Sequence, residues 1–267
     1  MKDLSRFVKA KEEQGYVDII AEDNPYLKIL ALGKLFLAEG QQYAASTGAY
    51  ETALVLLSGH MSVSCEGHTF DSLESRGGVF AGKATTVYIP CQSSYTVSTD
   101  SGAVVAVCKV KAEEKHTPFF VRPDEVVVHQ RGKDSWKREV HDIIADNAEG
   151  RVHRMILGET FNEAGNWSSY PPHKHDGEFA PEEPNLEEVY HYQTNPYQGF
   201  GIQVHYTKDG SIDDAHIIRH GDSFAIDKGY HPVSAAGGYE VYYLWFMAGD
   251  SGRKLNPYDD PDHKWLK

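Results

Sequence analysis

The chain has 267 residues, 40% of them apolar, enough to bury the core of one large domain or two modest ones. Its formal charge of -13, from 26 basic against 39 acidic side chains, comes with no basic block and argues against a nucleic-acid partner. Cys65, Cys91 and Cys108 are widely spaced and odd in number, which fits reduced core thiols in a reducing compartment rather than a disulfide scaffold.

The amino-terminal stretch MKDLSRFVKAKEEQG has no apolar signal-peptide core, and no later stretch offers the roughly 18 apolar residues of a membrane span. A cytoplasmic protein with no membrane partner is expected. Short apolar or alternating runs separated by glycine, proline and polar turns then predict strands at 53–65, 86–89, 94–98 and 103–110. The region from His116 to Asn147 contains FFVRPDEVVVHQRG and SWKREVHDII, too apolar for a loose tether, and reads as a docking region. Beyond it, strands are predicted at 154–157, 188–193, 200–207, 222–226 and 240–246. The fold class is mostly β.

Gly77 to Val97 and His220 to Ala235 share an order of turn, strand, proline and return strand, which makes each half a small antiparallel barrel or jelly roll. The expected division is an amino-terminal barrel over 1–115, a linking and docking region over 116–150, and a carboxy-terminal barrel over 151–267. The first copy has Ser93 and Ser94 near the place where the second has His231, and no His-x-His pair upstream. The second barrel is therefore expected to bind a metal and the first to serve structure or assembly.

The stretch YPPHKHDGEFAPEEPNLEEVYHY supplies the metal chemistry. His173 and His175, one residue apart on a strand, point to one face and can reach one ion. In the strand that EEVYHY enters, Glu188, Tyr190 and Tyr192 share a face, which makes Glu188 the preferred oxygen ligand and leaves Glu187 as its competitor. His231, in the turn GYHP, is the fourth candidate. Three nitrogens and a carboxylate can hold one divalent ion with a position open for substrate, and zinc, manganese, iron, nickel and cobalt all accept such a set.

The second half resembles the metal-binding cupin barrel, and the whole chain resembles the bicupin 5-deoxyglucuronate isomerase family of myo-inositol catabolism. The resemblance rests on QRGKDSWKREVHDI, RMILGETFNEAGNWSSYPPHKHD, LEEVYHYQTNPYQGFGIQVHY, GYHPV and YYLWFMAG. It implies His173, His175, Glu188 and His231 as metal ligands, and an aldose-ketose isomerisation of 5-deoxy-D-glucuronate to 5-dehydro-2-deoxy-D-gluconate. A metal that polarises the C1 carbonyl or the C2 oxygen would suit this reaction by stabilising an enediolate-like intermediate. Candidate acid-base groups are His191, Glu187, Tyr190 and Tyr242. Candidates for holding the substrate are Arg154 and Lys174 by charge and Tyr170 and Gln203 by hydrogen bonding. The partner expected is a small-molecule deoxyuronate, with room for a homo-oligomer. Alternatives are an isomerase of another deoxyuronate such as a 5-keto-4-deoxyuronate, a non-enzymatic sugar-binding cupin, and a metal-dependent oxygenase.

Overall fold

The computed structural model describes residues 5–71, 73–250 and 252–267, so the first four residues of the stretch read for a signal peptide lie outside the described residues. From the amino end run β1 (Phe7–Val8), β2 (Gly15–Ile20), β3 (Leu30–Leu37), β4 (Gln42–Ser46), β5 (Tyr50–Gly59) and β6 (Ser62–Cys65). They are followed by β7 (His68–Phe70), β8 (Thr86–Ile89), β9 (Ser94–Ser98), β10 (Ala103–Lys111) and β11 (Phe119–Val121). A six-stranded sheet has the order β11-β8-β5-β10-β3-β2, and a four-stranded sheet the order β4-β9-β6-β7.

The second half contains β12 (Val127–Arg131), β13 (Arg138–Ile144), β14 (Ile156–Asn162), β15 (Trp167–Ser168), β16 (His173–Lys174) and β17 (Leu186–Asn195). After these come β18 (Gly201–Tyr206), β19 (Asp213–Ile218), β20 (Ser223–Ile226), β21 (Val233–Ala235), β22 (Glu240–Gly249) and β23 (Tyr258–Asp259). Its large sheet has the order β1-β20-β17-β22-β14-β13-β12, its small sheet β15-β21-β18-β19, and β16 pairs separately with β23. The pairings are antiparallel, and no helix among the described residues is long and apolar enough to cross a membrane.

The two halves follow one plan. In each, a strand of the large sheet (β8 or β20) turns through a proline into a strand of the small sheet (β9 or β21), where the sequence repeats. The halves also exchange edges: β1 extends the second large sheet beside β20, while the 116–150 stretch divides, giving β11 to the first sheet and β12 and β13 to the second.

Three apolar clusters follow from this layering. One fills the first sandwich (Leu35, Leu54, Leu56, Val87, Val105), and another the second (Tyr190, Tyr192, Phe224, Tyr243, Trp245). The third lies between the two large sheets and joins Leu32, Val55 and Cys108 to Leu157, Val189 and Leu244. Strands such as β5 and β22 are thus buried on both faces, which is why their sequences run continuously apolar instead of alternating. The expected strand at 53–65 is in fact two. It breaks at Gly59, whose φ of 89° suits glycine and where a Cβ would meet the Gly102 carbonyl oxygen at 2.1 Å. The strand expected at 154–157 starts later and runs on to Asn162, because the polar and glycine positions of ILGETFN are also buried in the sheet.

Carboxylates fasten the halves together. Glu51 of β5 accepts hydrogen bonds from the backbone N–H groups of His153, Arg154 and Met155 at 2.7–2.9 Å and from the Tyr88 hydroxyl. Arg76 gives Glu159 of β14 two bonds, at 2.7 and 3.0 Å, in a place almost closed to solvent.

Candidate metal centre

The parity of β17 sets the site. Glu188, Tyr190 and Tyr192 point into the second sandwich, whereas Val189 faces the core between the sheets. Glu188 on β17, His175 just past β16, and His231 ahead of β21 bring one donor atom each to within 4.8 Å of one another, all three side chains being buried. Nδ1 of His175 donates to the Leu186 carbonyl at 2.8 Å, and Nδ1 of His231 to the Gly229 carbonyl at 2.9 Å. Those bonds fix the tautomers and turn both Nε2 atoms toward Glu188 Oε2, at 3.1 and 3.3 Å. His231 Nε2 is buried without a hydrogen-bond partner. Two imidazole Nε2 atoms converge on one buried carboxylate, and that of His231 has no hydrogen-bond partner, so this donor set fits a divalent metal ion. His173 stands beside the group, its ring centroid 5.0 Å from that of His231 and 6.3 Å from that of His175.

Burial and the Glu188 carboxylate set the electrostatics of the cluster. Burial pushes the His173 pKa down to about 3, helped by the positive charges of His175, Arg138 and Lys267. Burial likewise lowers His231 well below its ordinary value. For His175, burial pulls downward, but the hydrogen bond and charge of Glu188 more than offset it and leave the pKa raised. Burial raises Glu188 against the opposing pull of His175.

A cavity of about 650 Å³ opens from this cluster. Its floor is the inner face of the large sheet, including Tyr190, Tyr243, Trp245 and Thr160, and its mouth is rimmed by residues of the 131–138 loop and of the carboxy-terminal tail. Gly158 of β14 makes room for Trp245, since a Cβ there would meet the indole at 2.3 Å. Hydroxyl groups line the wall: Ser169 bonds Tyr190 at 2.9 Å, and Ser168 bonds Tyr243. Burial holds the Tyr190 phenol well above its usual pKa, so it stays protonated and can donate.

Comparison with known proteins decides the family. The family model described as KduI/IolB matches residues 4–266. The chain belongs to the KduI/IolB family. A 5-deoxy-glucuronate isomerase of Bacillus licheniformis is 36% identical, over 100% of this chain and 99% of the relative. One of Bacillus subtilis is 34% identical over the same shares. The crystal structure of an IolB-like protein from Salmonella typhimurium superposes with a TM-score of 0.92 at 31% identity, covering 97% of this chain and 98% of that one. An oxalate decarboxylase of Lactobacillus farciminis, 11% identical, shares the fold at a TM-score of 0.64 over 94% of this chain and 86% of its own.

Within this KduI/IolB fold, several residues expected at the site lie elsewhere. His191 has the opposite parity to Glu188 and Tyr190. It bonds Ser223 at 2.9 Å and sits close enough to Lys34 and His220 that, added to burial, they push its pKa well down. Glu187 likewise turns away, and its carboxylate accepts the Lys28 and Ile29 amide hydrogens at 2.8 and 3.0 Å. Tyr242 donates to Glu159 in the core between the sheets, at 2.6 Å. Of the four acid-base candidates, the cavity contains Tyr190.

The substrate-holding candidates divide in the same way. Tyr170 lines the cavity, packed between Trp136 and Trp167. Arg154 pairs with Glu113 away from it. Lys174, opposite in parity to its histidine neighbours, is buried in an ion cluster with Asp176, Glu178 and Glu183. That cluster folds the acidic loop, and Asp176 also accepts the Gly229 amide hydrogen at 2.9 Å, which braces the turn carrying His231. Gln203 accepts from Tyr192 and donates to the His231 carbonyl at 3.0 Å, so it supports the site from behind. The cavity also has cationic residues that sequence reasoning missed, namely Arg131, Lys133, Arg138 and Lys267.

The Glu187 clamp gives a test. Glu187→Gln is expected to weaken the contact between the halves by about 1–3 kcal/mol, since it swaps a charged acceptor of two amides for a neutral one. Metal content should be unchanged. Thermal unfolding and elemental analysis together check this; loss of bound metal would place Glu187 at the centre instead of Glu188.

Proposed function

We propose that this protein is a metal-dependent 5-deoxy-D-glucuronate isomerase of myo-inositol catabolism, a cytoplasmic bicupin whose second barrel holds the active site. The observation that carries the reading is the buried His175, Glu188 and His231 cluster opening on a hydroxyl-lined cavity, in a chain that matches 5-deoxy-glucuronate isomerases end to end. The first half lacks such a cluster among the described residues, in keeping with a barrel that serves structure.

His175, Glu188 and His231 would hold the divalent ion, with His173 beside them. Bound there, such an ion supplies Lewis-acid polarisation of the sugar's C1 carbonyl and C2 oxygen, which eases loss of the C2 proton. The rest is the work of the chain. Tyr190, protonated and bonded to Ser169, offers a hydrogen bond to an oxygen on which charge develops. Tyr243, bonded to Ser168 behind it, offers a further hydroxyl contact to a polyhydroxylated chain, and Trp245, Met247 and Tyr170 exclude water around it.

The test is an oxygen-free assay with defined metal loading, followed by position-resolved NMR. Conversion of 5-deoxy-D-glucuronate to 5-dehydro-2-deoxy-D-gluconate is expected, with solvent deuterium entering C1 when the reaction runs in deuterated buffer. Turnover of a 5-keto-4-deoxyuronate with none of 5-deoxy-D-glucuronate would replace the substrate. A requirement for oxygen would replace the reaction class.

A further inference from the structure

The cavity is richer in positive charge than a chain of net charge -13 leads one to expect. Its charged groups can be taken one by one. Glu188 faces the two histidines, Asp142 is bonded by His129 at 2.9 Å, and Asp259 is paired with Lys267 at 2.6 Å. Lys133 donates to the carbonyl of the last residue, Lys267, at 3.3 Å. Arg131 is exposed at the rim.

Arg138 differs from all of these. It is half-buried at the start of β13 and lines the cavity wall. Its Nη1 donates to the carbonyls of Trp136 and Tyr170, at 3.2 and 3.0 Å. Among the described residues, its Nε and Nη2 hydrogens meet no acceptor and the guanidinium has no carboxylate partner. Gly132 makes room for it, since a Cβ there would meet Arg138 Nη1 at 2.9 Å and the Trp136 carbonyl at 2.1 Å. The charge is felt by His173, by Tyr190 and by Tyr243, so it stands within electrostatic reach of the metal cluster and of the hydroxyl wall.

A guanidinium withdrawn from water without a counter-charge is costly, and the cost falls when an anion arrives. Two free N–H directions on a planar fork match the two oxygens of a carboxylate. We infer that Arg138 is the anchor for the substrate's C6 carboxylate, binding it in the cavity while the aldehyde end of the same six-carbon acid lies at the metal cluster. The inference rests on the deoxyuronate reading of the site and adds to it the residue that distinguishes a sugar acid from a neutral sugar. Arg154 and Lys174, the cations singled out in the sequence, are both committed to carboxylates of the protein itself.

The test compares two ligands on three proteins. Equilibrium binding to metal-loaded wild type, Arg138→Met and Arg138→Lys is measured by calorimetry, using 5-deoxy-D-glucuronate and the neutral aldose with a C6 hydroxymethyl group. Wild type is expected to prefer the acid. Arg138→Met should weaken acid binding by about 30- to 100-fold, the range for losing a paired charge-assisted contact, and leave the neutral sugar unaffected. Arg138→Lys should recover part of the preference, because the charge returns without the fork.

Equal losses for both sugars in Arg138→Met, with Arg138→Lys behaving like wild type toward each, would overturn the inference in favour of a role in holding the Trp136 and Tyr170 loop. So would an undiminished preference for the acid in either variant. A wild type that binds the acid through Arg138 without isomerising it would sink the proposed function and keep the anchor. A wild type that isomerises the acid while Arg138→Met does so equally well would do the reverse, and one that binds neither sugar removes both.

Discussion

Replacing His175 with alanine is expected to empty the proposed metal centre and lower turnover by at least about 100- to 1,000-fold, the usual scale for losing electrostatic stabilisation of a developing oxyanion. The expectation follows from position. His175 is buried, its Nδ1 is tied to the Leu186 carbonyl, and its Nε2 is one of two lone pairs aimed at Glu188 Oε2. The loop that carries it is held by the ion pairs of Lys174 with Asp176 and Glu183. Elemental analysis, activity under oxygen-free conditions and a circular dichroism spectrum settle the matter together. Full metal content and turnover in a folded His175→Ala protein would remove the proposed centre. Glu188→Gln should behave in the same direction, whereas Glu187→Gln should touch stability alone.

Much of this geometry is legible in the sequence because strand parity is a local property. His173 and His175 lie two apart, Glu188 and Tyr190 lie two apart, and the same rule turns Lys174, Glu187 and His191 away from the cavity. The parity that selects Glu188 also turns His191 and Glu187 off that face, which their polar chemistry alone does not reveal. The same alternation separates Tyr243 and Trp245, in the cavity, from Tyr242 and Leu244, in the core between the sheets.

Arg138 was not legible in this way. It reaches the site only because β13 lies beside β14, and β14 beside β22, so that residues far apart in sequence share one sheet face. Sheet order is a tertiary fact, and the sequence around Arg138 reads as a docking region. The strand LALGKLFL is hidden in the sequence for a related reason. With both faces of β3 buried, its sequence has no alternation to betray it.

The same layering predicts where the fold is most vulnerable. Glu159→Gln is expected to cost about 3–5 kcal/mol of stability, the range seen when one partner of a buried ion pair is removed and the other is left without its counter-charge. Arg76 would be that stranded partner: its side chain and that of Glu159 are 1% and 0% exposed, and Glu159 also accepts the Tyr242 hydroxyl. The remaining contacts of Arg76, to the carbonyls of Leu56, Val79 and Gly82, satisfy its hydrogens without neutralising its charge. Glu159 precedes Thr160, which lines the cavity, so the ion pair and the cavity share β14. Replacing both residues, as Arg76→Met with Glu159→Leu, should regain most of the loss, since two apolar side chains leave no buried charge behind. Thermal and urea unfolding of the two single variants and the double variant would measure this. A double variant no more stable than Glu159→Gln would show that the pair contributes through its geometry, by setting how the two large sheets meet, and not through the charge that each neutralises in the other.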